Sequence, residues 1–204
     1  MYDKLKSFLS KYVKLNKLEW MIIKKRSKIV KFKKKEIIHF AGDICQKAYF
    51  VNSGLLRGYI LDKKGNEYTW HIFFNDEYAK LSNVFVLDYE SFLNNTPSKI
   101  FIEVLKDCEL IEFDKKDVDF IFNHTKTGQK LGRLFAEEAY STLHNYIISY
   151  TIDTAEDKLL YFLSHSAHWF DLVPQHMIAT HLGIRPQSLS RLKKKLNGKL
   201  QKEL

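Results

Sequence analysis

The chain has 204 residues, enough for one large domain or two small ones and for a core that needs no disulfide or metal. Its composition, 45% hydrophobic and 28% charged with 3 Pro and 8 Gly, excludes collagen-like sequence, Pro-rich linkers and long disorder. The net charge of +9 is unevenly spread: residues 1–35 carry 13 basic and 2 acidic side chains, residues 36–150 carry 12 and 17, and residues 151–204 carry 8 and 5. Basic ends point to nucleic acid or a membrane surface. The two cysteines, Cys45 and Cys108, are too few for a disulfide scaffold, an all-Cys zinc site or a four-Cys iron–sulfur cluster. No run approaches the ~18 apolar residues of a membrane span, and no apolar leader opens the chain. A cytoplasmic protein with free thiols and no membrane partner is expected.

In chain order, residues 1–25 predict one basic amphipathic helix, with Leu5, Phe8, Leu9, Tyr12, Leu15 and Leu18 as its apolar stripe. The stripe packs such a helix on the next domain; lying on a membrane is the alternative. Residues 29–113 alternate short apolar runs with turn signals, the pattern of an antiparallel β barrel or roll. The turn signals include Asn52-Ser53-Gly54, Asp62–Asn66 and Asn94–Pro97. Leu56–Ile60 and Tyr68–Ile72 read as a hairpin. Glu77–Leu93 reads as less strand-like, with room for a short helix. Residues 126–152 predict a long helix, with Leu131, Phe135, Ala139, Leu143 and Ile147 four apart. That stripe suits pairing with a copy of itself or packing on its own barrel. Thr154 and Asp157 form a capping-box pattern ahead of a helix at Ala155–Ser164.

Residues 173–196 hold the strongest signal. Pro174 and Pro186 suit the starts of two helices, and Ala179 is small where helices cross. Gly183 supplies the positive φ of a tight turn. Ile178, Leu182, Ile184, Leu189 and Leu192 form the buried side. Gln187, Ser188, Ser190, Arg191, Lys193, Lys194 and Lys195 are expected outward. This is helix-turn-helix grammar, in which the second helix reads the major groove. Gln187 suits adenine and Arg191 guanine; Ser188 and Ser190 suit bases or phosphates. Gln175, Arg185, Lys193 and Lys194 complete the candidate DNA-binding set; the lysines suit phosphates, and Arg185 adds a cation near the DNA. From Arg185 to Lys202 there are seven basic residues and no acidic one.

Two stretches together resemble the Crp/Fnr family of transcription regulators. One is Ile178-Ala179, Leu182-Gly183-Ile184 and Ser188-Leu189-Ser190-Arg191. The other is Ala41-Gly42-Asp43 with Tyr49–Arg57, similar to the start of that family's cyclic-nucleotide-binding-type roll. The resemblance implies an α+β chain in three parts. An antiparallel β-roll (a double-stranded β-helix) with an N-terminal helix spans 1–125. A long dimerisation helix spans 126–152, and a winged-helix-like helix-turn-helix domain spans 153–204. It also implies a homodimer on a near-palindromic duplex, with recognition helices about 34 Å apart, and RNA polymerase as a further partner.

The family's ligand site does not carry over. Cyclic-nucleotide members use a Gly-Glu pair and an Arg-Ser pair around the ribose and cyclic phosphate. Here the matching stretch is Asn75–Lys80 and Thr96–Ile100, where Ser98-Lys99 lacks the guanidinium fork. Cyclic nucleotide is therefore not expected, and no cofactor is predicted. An unknown small-molecule effector or a purely structural roll remains. Arg57, Tyr68, Trp70, Ser98, Lys99, Tyr140 and His144 are the candidate pocket residues.

No metal site is expected. His165 and His168 have helix-neighbour spacing without a third ligand, and no spacing singles out His39, His71 or His144 for haem. The sequence shows no His-x-His of a cupin, no Gly-rich phosphate loop and no nucleophile elbow. An enzyme is not expected. The competing class is a small-molecule receptor that acts without DNA. Only Asn197–Leu204 follow the expected second helix, so a β wing is expected to be short or absent.

Overall fold

The computed structural model describes residues 2–200, with side chains as far as Leu196. The chain forms two compact units. One comprises Met1–Ile60 with His71–Ser141, the other Leu61–Trp70 with Thr142–Leu204.

In the first unit, helix α1 (Asp3–Ser10) buries Leu5, Phe8 and Leu9. The single helix expected over residues 1–25 is in fact two, because α2 (Lys17–Lys25) starts afresh at Asn16. The Asn16 side chain accepts the Glu19 N–H at 2.8 Å, and a Glu19 carboxylate oxygen lies 3.5 Å from the Asn16 N–H. This capping box resets the register. Leu18, on the expected buried stripe, is exposed, and Ile23 is buried instead.

Six strands follow: β1 (Lys28–Phe32), β2 (Ile37–His39), β3 (Lys47–Leu61), β4 (Glu67–Phe73), β5 (Phe85–Val86) and β6 (Phe101–Asp114). They form one sheet in the order β1-β6-β3-β4, with β2 on β6 and β5 on β3. The pairings of β6 with β1, β2 and β3 are antiparallel. Adjacent residues of β3 enter different cores, as strand alternation requires. Phe50 packs with Leu5, Phe8, Leu81, Val84 and Ile111, while Val51 packs with Leu56, Phe73, Val86, Ile102 and Leu110.

Asn52-Ser53-Gly54 is not the turn expected. It is a run of register shifts inside the 15-residue β3. Gly54 has φ +111°, and a Cβ there would stand 2.3 Å from the Cys108 Cβ. Only glycine meets both conditions. The hairpin expected between β3 and β4 is present. Asp62 accepts the N–H groups of Lys64 and Asn66 at 2.7 and 2.9 Å, which closes its turn.

Helices α3 (Leu81–Val84) and α4 (Tyr89–Asn94) occupy the segment before β6, and α5 (Lys115–His124) follows it. The long helix α6 (Lys126–Ile152) has the bounds expected, about 40 Å at 1.5 Å per residue. Its first turns are buried through Thr127, Gly128 and Leu131. Every residue from Tyr140 to Ile148 is exposed.

The second unit contains α7 (Ala155–Ser166), α8 (Trp169–Leu172), α9 (Gln175–His181) and α10 (Pro186–Leu200). The Thr154–Asp157 capping box is present. Leu159, Phe162, Trp169, Ile178, Ala179 and Leu189 make its core. Helix α10 continues to Leu200, past the end expected at Leu196. A wing would fall on residues 201–204, outside the described residues.

Candidate nucleic-acid interface and the roll's ligand candidates

The α9–turn–α10 segment is assembled as its residues dictate. Gly183 has φ +67°, which lets the chain reverse after α9. The turn closes through Gly183 N–H to the Thr180 carbonyl at 3.1 Å and Ile184 N–H to the Ala179 carbonyl at 3.0 Å. Pro186 opens α10, and the Arg185 carbonyl accepts the N–H groups of Ser188 and Leu189. Ile178, Ala179 and Leu189 are fully buried, which fixes the inner face of both helices.

On the outer face Gln175, Arg185, Gln187, Ser190, Arg191 and Lys194 are exposed, and Ser188 is half-buried. One lysine departs from the outward placement expected. Lys193 is half-buried, with its ammonium 3.8 Å from the Phe170 ring centroid. Lys195 is exposed as expected and pairs with Glu156 at 2.6 Å. Lys193 is four residues after buried Leu189, so its stem follows the inner stripe while the charge reaches outward. Phe170 and Glu156 thus hold lysines of the candidate interface, which no local pattern around residue 190 reveals.

The seven pocket candidates are divided between the two units. Arg57, Ser98, Lys99 and Tyr140 fall in the first unit, and Tyr68, Trp70 and His144 in the second. Arg57 is buried and paired with Glu103 at 2.9 Å, its guanidinium over the Tyr59 ring. The buried Ser98 hydroxyl donates to the Asp88 carboxylate at 2.7 Å. Lys99 is exposed. Tyr68 and Trp70 are exposed on the hairpin, where Trp70 meets Tyr146 edge-on at 5.8 Å. Tyr140 and His144 are exposed on α6. A cyclic phosphate does not fit this set. Its matched serine already donates to a carboxylate, and that carboxylate would repel an anion.

A separate cleft of about 390 Å³ in the first unit is lined by Ile38, His39, Asp43, Cys45, Tyr49 and Ile102 among others. None of the seven candidates lines it. The His39 Nε2 is buried there without a hydrogen-bond partner, and burial holds the imidazole below its ordinary pKa. Burial raises the Cys45 thiol and pushes Cys108 up to about 11. His165 binds the Tyr161 carbonyl at 3.0 Å and stacks on the Tyr161 ring, a local helix contact. Among the described residues, no three His, Cys, Asp or Glu side chains come together as a metal site, and no helix is long and apolar enough to cross a membrane.

Residues 29–125 match the cyclic nucleotide-binding domain family. Three solved structures of similar fold illustrate the likeness. A putative transcriptional regulator of the Crp/Fnr family from Eubacterium rectale aligns over 91% of this chain and 85% of its own, at 19% identity and a TM-score of 0.65. A CooA variant from Carboxydothermus hydrogenoformans covers 92% and 86%, at 19% and 0.67. The c-di-GMP-responsive global regulator CLP from Xanthomonas campestris covers 90% and 93%, at 14% and 0.65. No curated protein matches by sequence. The chain thus joins a stretch similar to the cyclic nucleotide-binding domain to a helix-turn-helix unit. Over about nine-tenths of its length its fold is similar to that of the putative Crp/Fnr regulator and of the CooA variant.

Proposed function

We propose that this chain is a homodimeric, sequence-specific DNA-binding transcription regulator of Crp/Fnr type. The observation that carries the reading is the exposed face of α9 and α10, with Gln187, Ser190, Arg191 and Lys194 outward on a buried Ile178–Ala179–Leu189 base. Gln187 and Arg191 would read base edges in the major groove. Arg185, Gln175, Ser188 and Lys194 would hold the phosphates, and Lys193, braced on Phe170, would present a fixed charge beside them. Exposed apolar residues of α6, Leu143 and Ile147 foremost, supply the seam for a second copy. The roll would bias the spacing and tilt of the two readers. An effector can do this only by binding one arrangement better than the other. Cyclic nucleotide is not proposed as that effector, since Arg57 and Ser98 are engaged with Glu103 and Asp88. RNA polymerase is the further partner this reading implies.

The test is selection of bound sites from random duplexes with the full chain, followed by fluorescence anisotropy on the selected and a scrambled duplex. A near-palindromic consensus bound at least a hundredfold more tightly than the scrambled duplex is expected. Equal affinity for both overturns the reading. A ligand-dependent rise in melting temperature without any duplex preference would establish the receptor class instead.

A further inference from the structure

We infer that Thr69, at the tip of the β3–β4 hairpin, is a positioning residue for the DNA-reading helix pair. This rests on the DNA-binding reading above. The strands of the hairpin continue from the sheet, yet its tip, Leu61–Trp70, belongs to the same compact unit as α9 and α10. Thr69 is buried while Tyr68 and Trp70 on either side are exposed, so its side chain is the inward one.

Three polar links join it to the last two residues of α9. The Thr69 N–H donates to Thr180 Oγ1 at 3.2 Å. The two threonine hydroxyls lie 3.1 Å apart. The Thr69 carbonyl accepts from His181 Nδ1 at 3.2 Å, which fixes the imidazole tautomer. Thr180 and Ala179 are also the residues whose carbonyls close the turn before α10. Thr69 therefore grips the helix-turn-helix at the point that sets the angle of its second helix. His181 is walled by Trp169 at 5.0 Å and Phe162 at 6.4 Å between ring centroids, so the grip has little freedom to slide.

A second route from the same tip reaches the same turn. Trp70 meets Tyr146, Tyr146 stacks on Tyr150 at 6.2 Å, and a Cβ on Gly183 would stand 3.6 Å from the Tyr150 ring. The hairpin thus touches the end of α9 directly and the turn glycine through α6. A hairpin whose only role was to close a sheet would have no need of a buried polar threonine at its tip. Buried hydroxyls and amides are costly unless paired, and here the pairs are supplied by α9.

The test uses the full chain and three variants, Thr180→Val, Thr69→Val and Thr69→Ser. Affinity for the selected duplex and for the scrambled duplex is measured beside the melting temperature. Thr180→Val removes the acceptor for the Thr69 N–H and leaves that amide unpaired. It is expected to weaken the selected duplex about 5- to 10-fold and the scrambled duplex by less than twofold. Thr69→Val, which loses one hydroxyl contact, should fall between it and the wild type, and Thr69→Ser should restore wild-type affinity. Unchanged selected-duplex affinity in Thr180→Val overturns the inference. So does an equal loss on both duplexes, or a loss that tracks the melting temperature and that Thr69→Ser does not restore. A wild-type chain without duplex preference overturns the DNA-binding reading, and the inference with it.

Discussion

Arg191 stands exposed on α10, and its guanidinium is the one fork on the outer face of that helix among the described side chains. A bidentate contact to guanine O6 and N7 discriminates by about 1–3 kcal/mol. Arg191→Ala is therefore expected to cost about that much on the selected duplex and to relax preference at one base pair, measured by anisotropy against single-base variants of the site. His181 makes the opposite kind of prediction. Burial holds its pKa below the ordinary value, and hydrogen bonds to the backbone of Thr69 and Trp70 offset this only in part. The unfolded chain then binds more protons than the folded one below pH ~6.5, so stability falls as pH drops through that range. Melting curves at pH 7.5 and 5.5 should show it, and His181→Asn should lose the part due to this residue. His39, displaced in the same direction by burial, supplies a first-unit component that the variant retains.

Helix α6 shows what a periodic pattern can and cannot reveal. Its apolar spacing of four gave its length, because a 3.6-residue period is a property of the chain alone, but left open whether the stripe faces a second copy or its own barrel. Leu143 and Ile147 are 47% and 54% exposed. Apolar side chains in that register, left in water, account for the proposed second copy. Ile147→Glu is expected to shift the chain from dimer to monomer in sedimentation velocity. It should also weaken the selected duplex by at least tenfold, because two half-sites held together gain effective concentration. The helix-turn-helix was legible for a similar reason, since proline, alanine, glycine and leucine each have one physical use in it. Two elements were not. Asn52-Ser53-Gly54 carries the chemistry of a turn, and a bulge uses the same residues. The box at Asn16 and Glu19 interrupts a stripe that runs through it unbroken in sequence.

At the scale of the molecule, the two units are interleaved in the chain, which crosses between them after Ile60, Trp70 and Ser141. The bonds from Thr69 to Thr180 and His181 span more than a hundred residues. No window along the sequence contains both ends, which is why hairpin and reader were legible separately but not as one body. The basic N-terminal segment also has a partial account. Lys28, Lys31 and Lys33 pair with Glu112, Glu109 and Asp107 across the β1–β6 ladder, so some of that charge balances the acidic roll. Lys6, Lys11 and Lys24 lie over the rings of Trp20, Phe8 and Tyr2. In the proposed reading the acid-free C-terminal helix is left for phosphates. With on the order of six phosphate contacts per dimer, duplex affinity should fall about a thousandfold between 50 and 200 mM salt. A flat salt response in the same anisotropy assay would contradict a phosphate-bound reader.

The close approach that demands glycine at position 54 also seals Cys108, and Cys45 is equally buried. With a pKa of about 11, roughly one Cys108 in ten thousand is a thiolate at neutral pH. Both side chains are at most 5% exposed, so attack by an oxidant or alkylator is slowed while the roll is closed. Both lie in the same compact unit. Their labelling rate is thus a clock for the opening of the roll, readable in the native chain without any introduced probe. Any molecule that binds and tightens the roll would slow that clock, whatever its chemistry.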